Sequence, residues 1–219
     1  MRIVVTGIGG LIGWHAHVRL YAANCAARFR NDPLPYDIVA LDHAAFDDDT
    51  QLAAALDNAD AVLHFAGVNR GDAATVEAAN PAIAKRLTEA CKSAQADPHI
   101  VYANSTHAIS DTPYGRSKRI AGEICAAAVN RYTDLVLPHI FGEAARPFYN
   151  NVTATLIHQI LAGEMPDINP DGKVQLLHAG AAAQMAIDAV RDGTTGMQTP
   201  VPHPVTVPAL YQKLRGFHD

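Results

Sequence analysis

Glycines at positions 7, 10 and 13 stand between a short β-rich run, Arg2-Ile3-Val4-Val5-Thr6, and an alanine-rich stretch that reads as a helix over residues 11–29. A strand, a tight turn and a helix in that order leave the chain few options. The strand belongs in a sheet, and the helix must pack back over it. In such a turn Gly7 supplies the reversal, Gly10 lets the backbone approach a ligand without a Cβ, and Gly13 brings the helix close to the strand. Gly9, Leu11 and Ile12 complete the loop, and the free N–H groups of the helix start face whatever anion it holds. Together they have the form of a pyrophosphate cradle for a dinucleotide.

The same rhythm continues along the chain. Residues 37–42 (DIVALD), 61–65 (AVLHF), 99–102 (HIVY) and 134–137 (DLVL) read as further buried strands, while 50–56, 73–94 and 114–131 have helical character. Alternating strands and helices predict an α/β fold, a doubly wound parallel sheet covered on both faces. The short link after Asp42 reads as a βα unit reduced to a loop. After Pro138 the pattern loosens into a loop to residue 151, a helix at 152–161, a Pro/Gly/Asp-rich stretch at 165–172 and a strand at 174–178. A helix at 179–190, the Pro-rich run 200–208 and a last helix at 209–215 follow. The expected division is a dinucleotide-binding domain at 1–142 and a small, irregular C-terminal substrate-binding region at 143–219 that does not fold alone.

Bulk properties narrow the partners. A net charge of -5 gives no basic footprint for nucleic acid. No run of about 20 apolar residues offers a membrane span. Residues 1–7 lack the apolar core and cleavage site of a signal peptide, so a cytoplasmic location is expected. Cys25, Cys91 and Cys125, odd in number and far apart, suggest neither a disulfide framework nor a thiolate site. The 11 histidines show no ligand spacing: His15 and His17, two apart on a helix, point in different directions. No metal is expected.

Asp42 closes the second strand, where a carboxylate can accept both hydroxyls of an adenosine ribose and repel a 2′-phosphate. NAD is favoured on that ground, and NADP stays open because His43 beside it can face a phosphate. Asp47 either approaches the adenine amino group or begins a solvated acidic helix. Phe65, Ala66 and Gly67 end the third strand and let a cofactor pass over the sheet edge. His64, inside that strand, reads as a hydrogen-bonded structural residue.

Tyr114 and Lys118 form a YxxxK pair at a helix start, one turn apart on one face. A free phenol has a pKa near about 10, so acid–base work near neutral pH asks for about 4 kcal/mol of preferential phenolate stabilisation. A desolvated Lys118 ammonium with the positive nicotinamide of an oxidised cofactor can supply it, so both residues are candidates for catalysis and for cofactor binding. Upstream, Ser105 or Thr106 ends a strand where a hydroxyl can bond a substrate carbonyl beside the tyrosine. Asn104-Ser105-Thr106 also suits a simple turn.

In this order, TGxxGxxG, an acidic second-strand end, His64-Phe65-Ala66-Gly67, a serine-bearing strand end and Tyr114-Gly115-Arg116-Ser117-Lys118 resemble the extended short-chain dehydrogenase/reductase (NAD-dependent epimerase/dehydratase) family over about residues 2–142. The resemblance implies a Rossmann-type fold and an NAD(P)-dependent oxidoreductase with Ser105, Tyr114 and Lys118 catalytic. Residues 63–70, 111–118 and 146–152 are similar to bacterial capsular-polysaccharide reductases that act on a UDP-linked 2-acetamido-2,6-dideoxy-hexos-4-ulose. That similarity implies hydride transfer to a sugar keto carbon, with Tyr114 protonating the oxygen. It also implies a nucleotide-sugar cleft lined by Thr106, His107, His139, Arg146, Tyr149 and Asn150, and a homodimer through the helices at 73–94 and 114–131. A nucleotide-sugar 4-epimerase with tightly held NAD, and a dinucleotide-binding protein without catalysis, are the competing readings.

The sequence departs from the family in two places. Val136 and His139 stand where the family shows Arg and Asn, and residues 177–182 lack its acidic groups. The cupin domain that follows in those reductases would lie beyond Asp219, which implies either a reductase domain standing alone or part of a longer chain.

Overall fold

The computed structural model describes residues 1–218. Its larger sheet has six parallel strands: Arg2–Thr6 (β1), Asp37–Leu41 (β2), Ala61–His64 (β3), His99–Ser105 (β4), Tyr132–Leu137 (β5) and Gly196–Gln198 (β8), in the order β2-β1-β3-β4-β5-β8. The register shows why its central strands are apolar throughout. In β1, Val4 joins one core while Ile3 and Val5 join the other; Val62 and Leu63 in β3, and Ile100 and Val101 in β4, repeat the split. Successive side chains point to opposite faces, so a strand covered on both sides has no solvated position for a polar residue. Leu11–Arg30 (α1) and Ala179–Asp192 (α7) cover one face, and Asp49–Leu56 (α3), Ala73–Ser93 (α4) and Pro113–Ala128 (α5) the other. The chain forms the doubly wound, Rossmann-type α/β fold.

The link after Asp42 is a short helix, His43–Asp47 (α2), rather than a plain loop. It buries Phe46 in the core shared with α3 and α4. Because β2 lies on one side of β1 and β3 on the other, the chain reverses direction there and opens a crevice at the carboxyl ends of the strands.

A smaller sheet, ordered β6-β7-β9, comprises His139–Phe141 (β6), Lys173–His178 (β7) and His203–Thr206 (β9). Val152–Leu161 (α6) and Val207–His218 (α8) pack with it around Leu156, Ile160, Leu176, Leu210 and Tyr211. Two of these strands replace expected irregular structure. The segment after Pro138 continues as β6, and the Pro-rich run contains β9, where Pro204 stands opposite Gln175. A proline is tolerated there because β9 is an edge strand. The residues beyond 142 serve both sheets: α7 closes a face of the larger one and β8 extends its edge.

Candidate active site

The glycine turn sits at the crevice. Gly7 has φ +69°, and a Cβ there would stand 2.6 Å from the Ala66 nitrogen, so the turn lies directly against the end of β3. A Cβ on Gly13 would collide with the Gly7 carbonyl, which confirms why α1 can start so close to the strand. By contrast Gly9 faces open space. The Gly10 cap of α1 makes no side-chain hydrogen bond, and the helix has no acid in its first turn. N–H groups at a helix start with no side-chain cap favour an anion, so this cradle fits a dinucleotide pyrophosphate.

The segment beyond β3 is held by side chains from β1 and α4. Thr6 Oγ1 accepts from Ala66 N (3.2 Å) and bonds the His64 ring at Nδ1 (2.7 Å). His64 is buried between the Phe46 and Tyr102 rings, and burial, helped by the Lys118 charge, pushes its pKa down to about 3. It is a neutral structural residue. Asn80 of α4 was absent from the sequence-based candidates. Its Oδ1 accepts from Val68 N (2.9 Å), while Nδ2 donates to Val68 O (2.8 Å) and Ser117 Oγ (2.9 Å), clasping the loop that follows Gly67 to helix α5. An Asn-Pro pair inside a long helical stretch is the signal that could have found it.

Helix α5 starts with Thr112 as cap, its hydroxyl accepting from Gly115 N (3.1 Å), and Pro113 in the first turn, where its missing N–H costs nothing. Tyr114 and Lys118 then fall on the face toward β4. Ser105 at the end of β4 is fixed by Asn104, whose Oδ1 accepts from Ser105 N (2.8 Å) and whose Nδ2 donates to Asp134 (2.8 Å). Ser105 Oγ accepts from His107 N (3.2 Å) and so also caps the 3-10 turn Thr106–Ile109. Burial raises the Tyr114 pKa, and a hydrogen bond from Ser105 draws it partly back. Lys118 is buried with Nζ donating to Ala103 O (2.6 Å) and lying 4.0 Å from the Tyr102 ring centre, and desolvation lowers its pKa to about 7. In the protein alone, therefore, the phenol is held protonated and the lysine is poised near neutrality.

These groups open on one cleft of ≈ 750 Å³, within the range of small-molecule sites. Of the expected cofactor positions, Gly9, Gly10, Leu11, Ile12, Gly13, Phe65 and Gly67 line it together with Tyr114 and Lys118. Gly7 and Ala66 lie just behind, as turn and support. Asp42 is exposed, and its Oδ1 accepts from Ala45 N (2.8 Å) as the cap of α2, a second duty for the carboxylate assigned to the ribose. Asp47 pairs with His43 (2.8 Å), so both flanking residues are engaged with each other.

The opposite wall is built from Ser105, His107, His139, Arg146, Tyr149 and Asn150. Thr106 is exposed at the start of its turn, outside that wall. The loop after β6 is strapped across to the loop after β3. Arg70 donates to Phe148 O (2.5 Å), Asn150 Nδ2 donates to Asn69 O (3.0 Å), and the Tyr149 ring contacts both Arg70 and Arg146 guanidinium groups at 5.4 and 4.9 Å. At residues 177–182, which lack the family's acidic groups, His178 accepts from Gly180 N and reaches Glu143 (2.9 Å). Among the described residues no group of three or more His, Cys, Asp or Glu could hold a metal, and no helix is long and apolar enough to cross a membrane.

A parallel α/β sheet with a dinucleotide-type glycine turn, and a Ser-Tyr-Lys set facing the same crevice, defines the class of protein. The chain belongs to the NAD dependent epimerase/dehydratase family, whose model matches residues 3–197. Over 231 aligned residues, covering all of this chain, it is 25% identical to UDP-2-acetamido-2,6-beta-L-arabino-hexul-4-ose reductase of Pseudomonas aeruginosa. It covers 58% of that reductase, a little over half its length. The fold is similar to capsular polysaccharide assembling protein CapF from Staphylococcus aureus, with TM-score 0.74 and 24% identity over 99% of this chain and 57% of that one. It is also similar to dTDP-4-dehydrorhamnose reductase from Bacillus anthracis in complex with NADP, with TM-score 0.81 and 16% identity over 99% of this chain and 80% of that one.

Proposed function

We infer that the protein is an NAD(P)-dependent reductase of a keto group on a nucleotide sugar. The observation that carries this reading is the convergence of Ser105, Tyr114 and Lys118 on the cleft that holds the glycine turn. Residues 1–142 would hold the cofactor by that turn and by the segment at Phe65–Gly67, with residues beyond 142 supplying much of the substrate wall. Asp42 favours NAD over NADP. When bound, the reduced nicotinamide supplies the hydride. The Ser105 hydroxyl orients the substrate carbonyl, and the Tyr114 phenol donates its proton to that oxygen as it becomes a hydroxyl. A phenol held protonated by burial suits this direction of proton transfer. Lys118, protonated as the phenolate forms, stabilises it by charge from one helical turn away. Pairing of two copies through α4 and α5 forms part of the same reading by resemblance, and a cytoplasmic location goes with it.

The test is to mix the protein with NADH or NADPH and a panel of UDP- and dTDP-linked keto-hexoses, following absorbance near about 340 nm. Stoichiometric cofactor oxidation is expected, falling about 10²- to 10⁴-fold in Tyr114→Phe while cofactor affinity stays within about twofold. Substrate turnover without net absorbance change would assign a 4-epimerase instead. Undiminished turnover in the variant would remove Tyr114 from the mechanism, and cofactor binding with no turnover of any sugar would favour a non-catalytic role.

A further inference from the structure

Helix α1 is apolar on both sides. Toward the sheet it buries Gly13, Ala16, Leu20 and Ala27. Its outer arc, where a surface helix ordinarily carries charge, presents Trp14, Val18, Tyr21, Ala22, Cys25 and Phe29. Trp14, Val18 and Tyr21 are 42%, 44% and 52% exposed, and Phe29 is 92% exposed, so neither α7, which packs alongside, nor any other described element covers the stripe. No acid occurs on the helix, and its arginines, Arg19, Arg28 and Arg30, stand at the edge of the arc or beyond it. Single exposed apolar residues are ordinary, but a contiguous uncharged stripe four turns long marks a contact surface.

We propose that this stripe pairs with the same stripe of a second copy of the chain, the two α1 helices running antiparallel across a two-fold axis. The surface lies on the opposite face of the sheet from α4 and α5 and is independent of the nucleotide-sugar reading. Spacing supports self-pairing. Trp14 and Phe29, Val18 and Cys25, and Tyr21 and Ala22 are each equidistant from the midpoint between residues 21 and 22. An antiparallel pair centred there sets each residue against its mate from the other copy, twice over, as a two-fold interface requires. The aromatic rings of Trp14 and Phe29 then meet at both ends, and Tyr21 lies over the small Ala22.

Area and charge agree with that arrangement. The side chains of the stripe expose about 600 Å², so two copies bury about 1,200 Å², the lower end of the range for a specific pair. A parallel pair would set each arginine beside its own counterpart. Antiparallel pairing instead places Arg19 opposite residue 24 and Arg28 opposite residue 15, within reach of the Trp14 ring of the other copy. Arg30 is already engaged by Asp32 (2.7 Å). An anionic membrane surface is the poorer occupant, because the chain as a whole carries a net charge of -5.

Light scattering after size exclusion compares the mass of the full chain in solution with that of Tyr21→Glu, which puts a charge at the centre of the stripe on a half-exposed position. The parent is expected to associate and the variant to fall about twofold in mass, whether or not a further pairing through α4 and α5 is present. A monomeric parent, or a mass that Tyr21→Glu leaves unchanged, overturns the proposal. Cysteine oxidation tests the direction. Val18→Cys stands opposite Cys25 of the other copy, so oxidation should give a species of twice the 23.3 kDa chain mass, while the unaltered protein, with Cys25 opposite Val18, should give none. No doubled species from Val18→Cys, or one that forms equally in the unaltered protein, overturns the antiparallel arrangement. Should Tyr21→Glu fail to fold, the oxidation of Val18→Cys decides the matter.

Discussion

Lys118 makes the stability of the cofactor-free protein depend on pH in a way that can be isolated. Its side chain is 6% exposed, and burial moves the ammonium pKa from 10.5 to about 7. Between those values the unfolded chain binds a proton that the folded one has released, so stability rises with pH. The full difference corresponds to about 5 kcal/mol, of which about 2 kcal/mol develops between about pH 6 and about pH 8.5. Lys118→Met keeps an unbranched side chain one atom shorter and removes the charge, along with the bond to Ala103 O and the ammonium contact with the Tyr102 ring. The variant is expected to be at least as stable as the parent at about pH 6, because replacing a buried charge with an apolar group relieves desolvation. That advantage should shrink by about 2 kcal/mol at about pH 8.5. Urea unfolding of nucleotide-free parent and variant across this range reads the difference directly. Taking the difference cancels His99 and His139, whose lowered pKa values place their stabilisation above the ordinary histidine range and its loss on acidification, while His64 feels the Lys118 charge but is kept neutral across this range chiefly by burial. Cys91, pushed up to about 11, also cancels, and Cys125, pushed up to about 12, is coupled to Lys118 but stays a thiol in the folded protein throughout this range. Parallel stability curves for the two proteins would refute the claim that desolvation governs Lys118.

Other consequences are equally direct. Asp42→Ser retains a side chain able to cap α2 while removing the carboxylate, so affinity for NADP(H) should rise relative to NAD(H) with less than about 1 kcal/mol change in stability; unchanged preference in competitive titration would free Asp42 of the ribose role. Asn80→Ala strips both partners from the Val68 backbone and should cost about 1–3 kcal/mol, with weaker NADH binding by fluorescence; a variant matching the parent in both would show the clasp to be dispensable. Arg116→Ala breaks pairs with Glu77 and Asp111, but these lie partly in solvent, so thermal unfolding should register no more than about 1 kcal/mol.

The legible features of this chain were those whose reasons lie within a turn or two of sequence. The glycine turn needs only its own strand and helix, and Tyr114 and Lys118 need only helical spacing. Strands β6, β8 and β9 were not legible because each has three or four residues and takes its meaning from a distant partner: Phe141 from His178, Gln198 from Leu135, and Pro204 from Gln175. Local propensity even opposed the last of these, and edge position overrode it. The same distinction separates the site residues. Ser105 announces itself at a strand end, whereas Asn80 acts through the backbone of Val68, twelve residues away, and carries no local mark of that duty beyond the proline after it. Asp42 was legible as a strand-end carboxylate, but its capping role required α2 to exist. His139 was legible only in part. Its identity is visible as a departure from the family, but its unpaired Nε2 can be recognised only after every neighbouring donor and acceptor has been placed. An unmet hydrogen bond is a property of the whole packed structure, and so no pattern of residue types along the chain can encode it by itself.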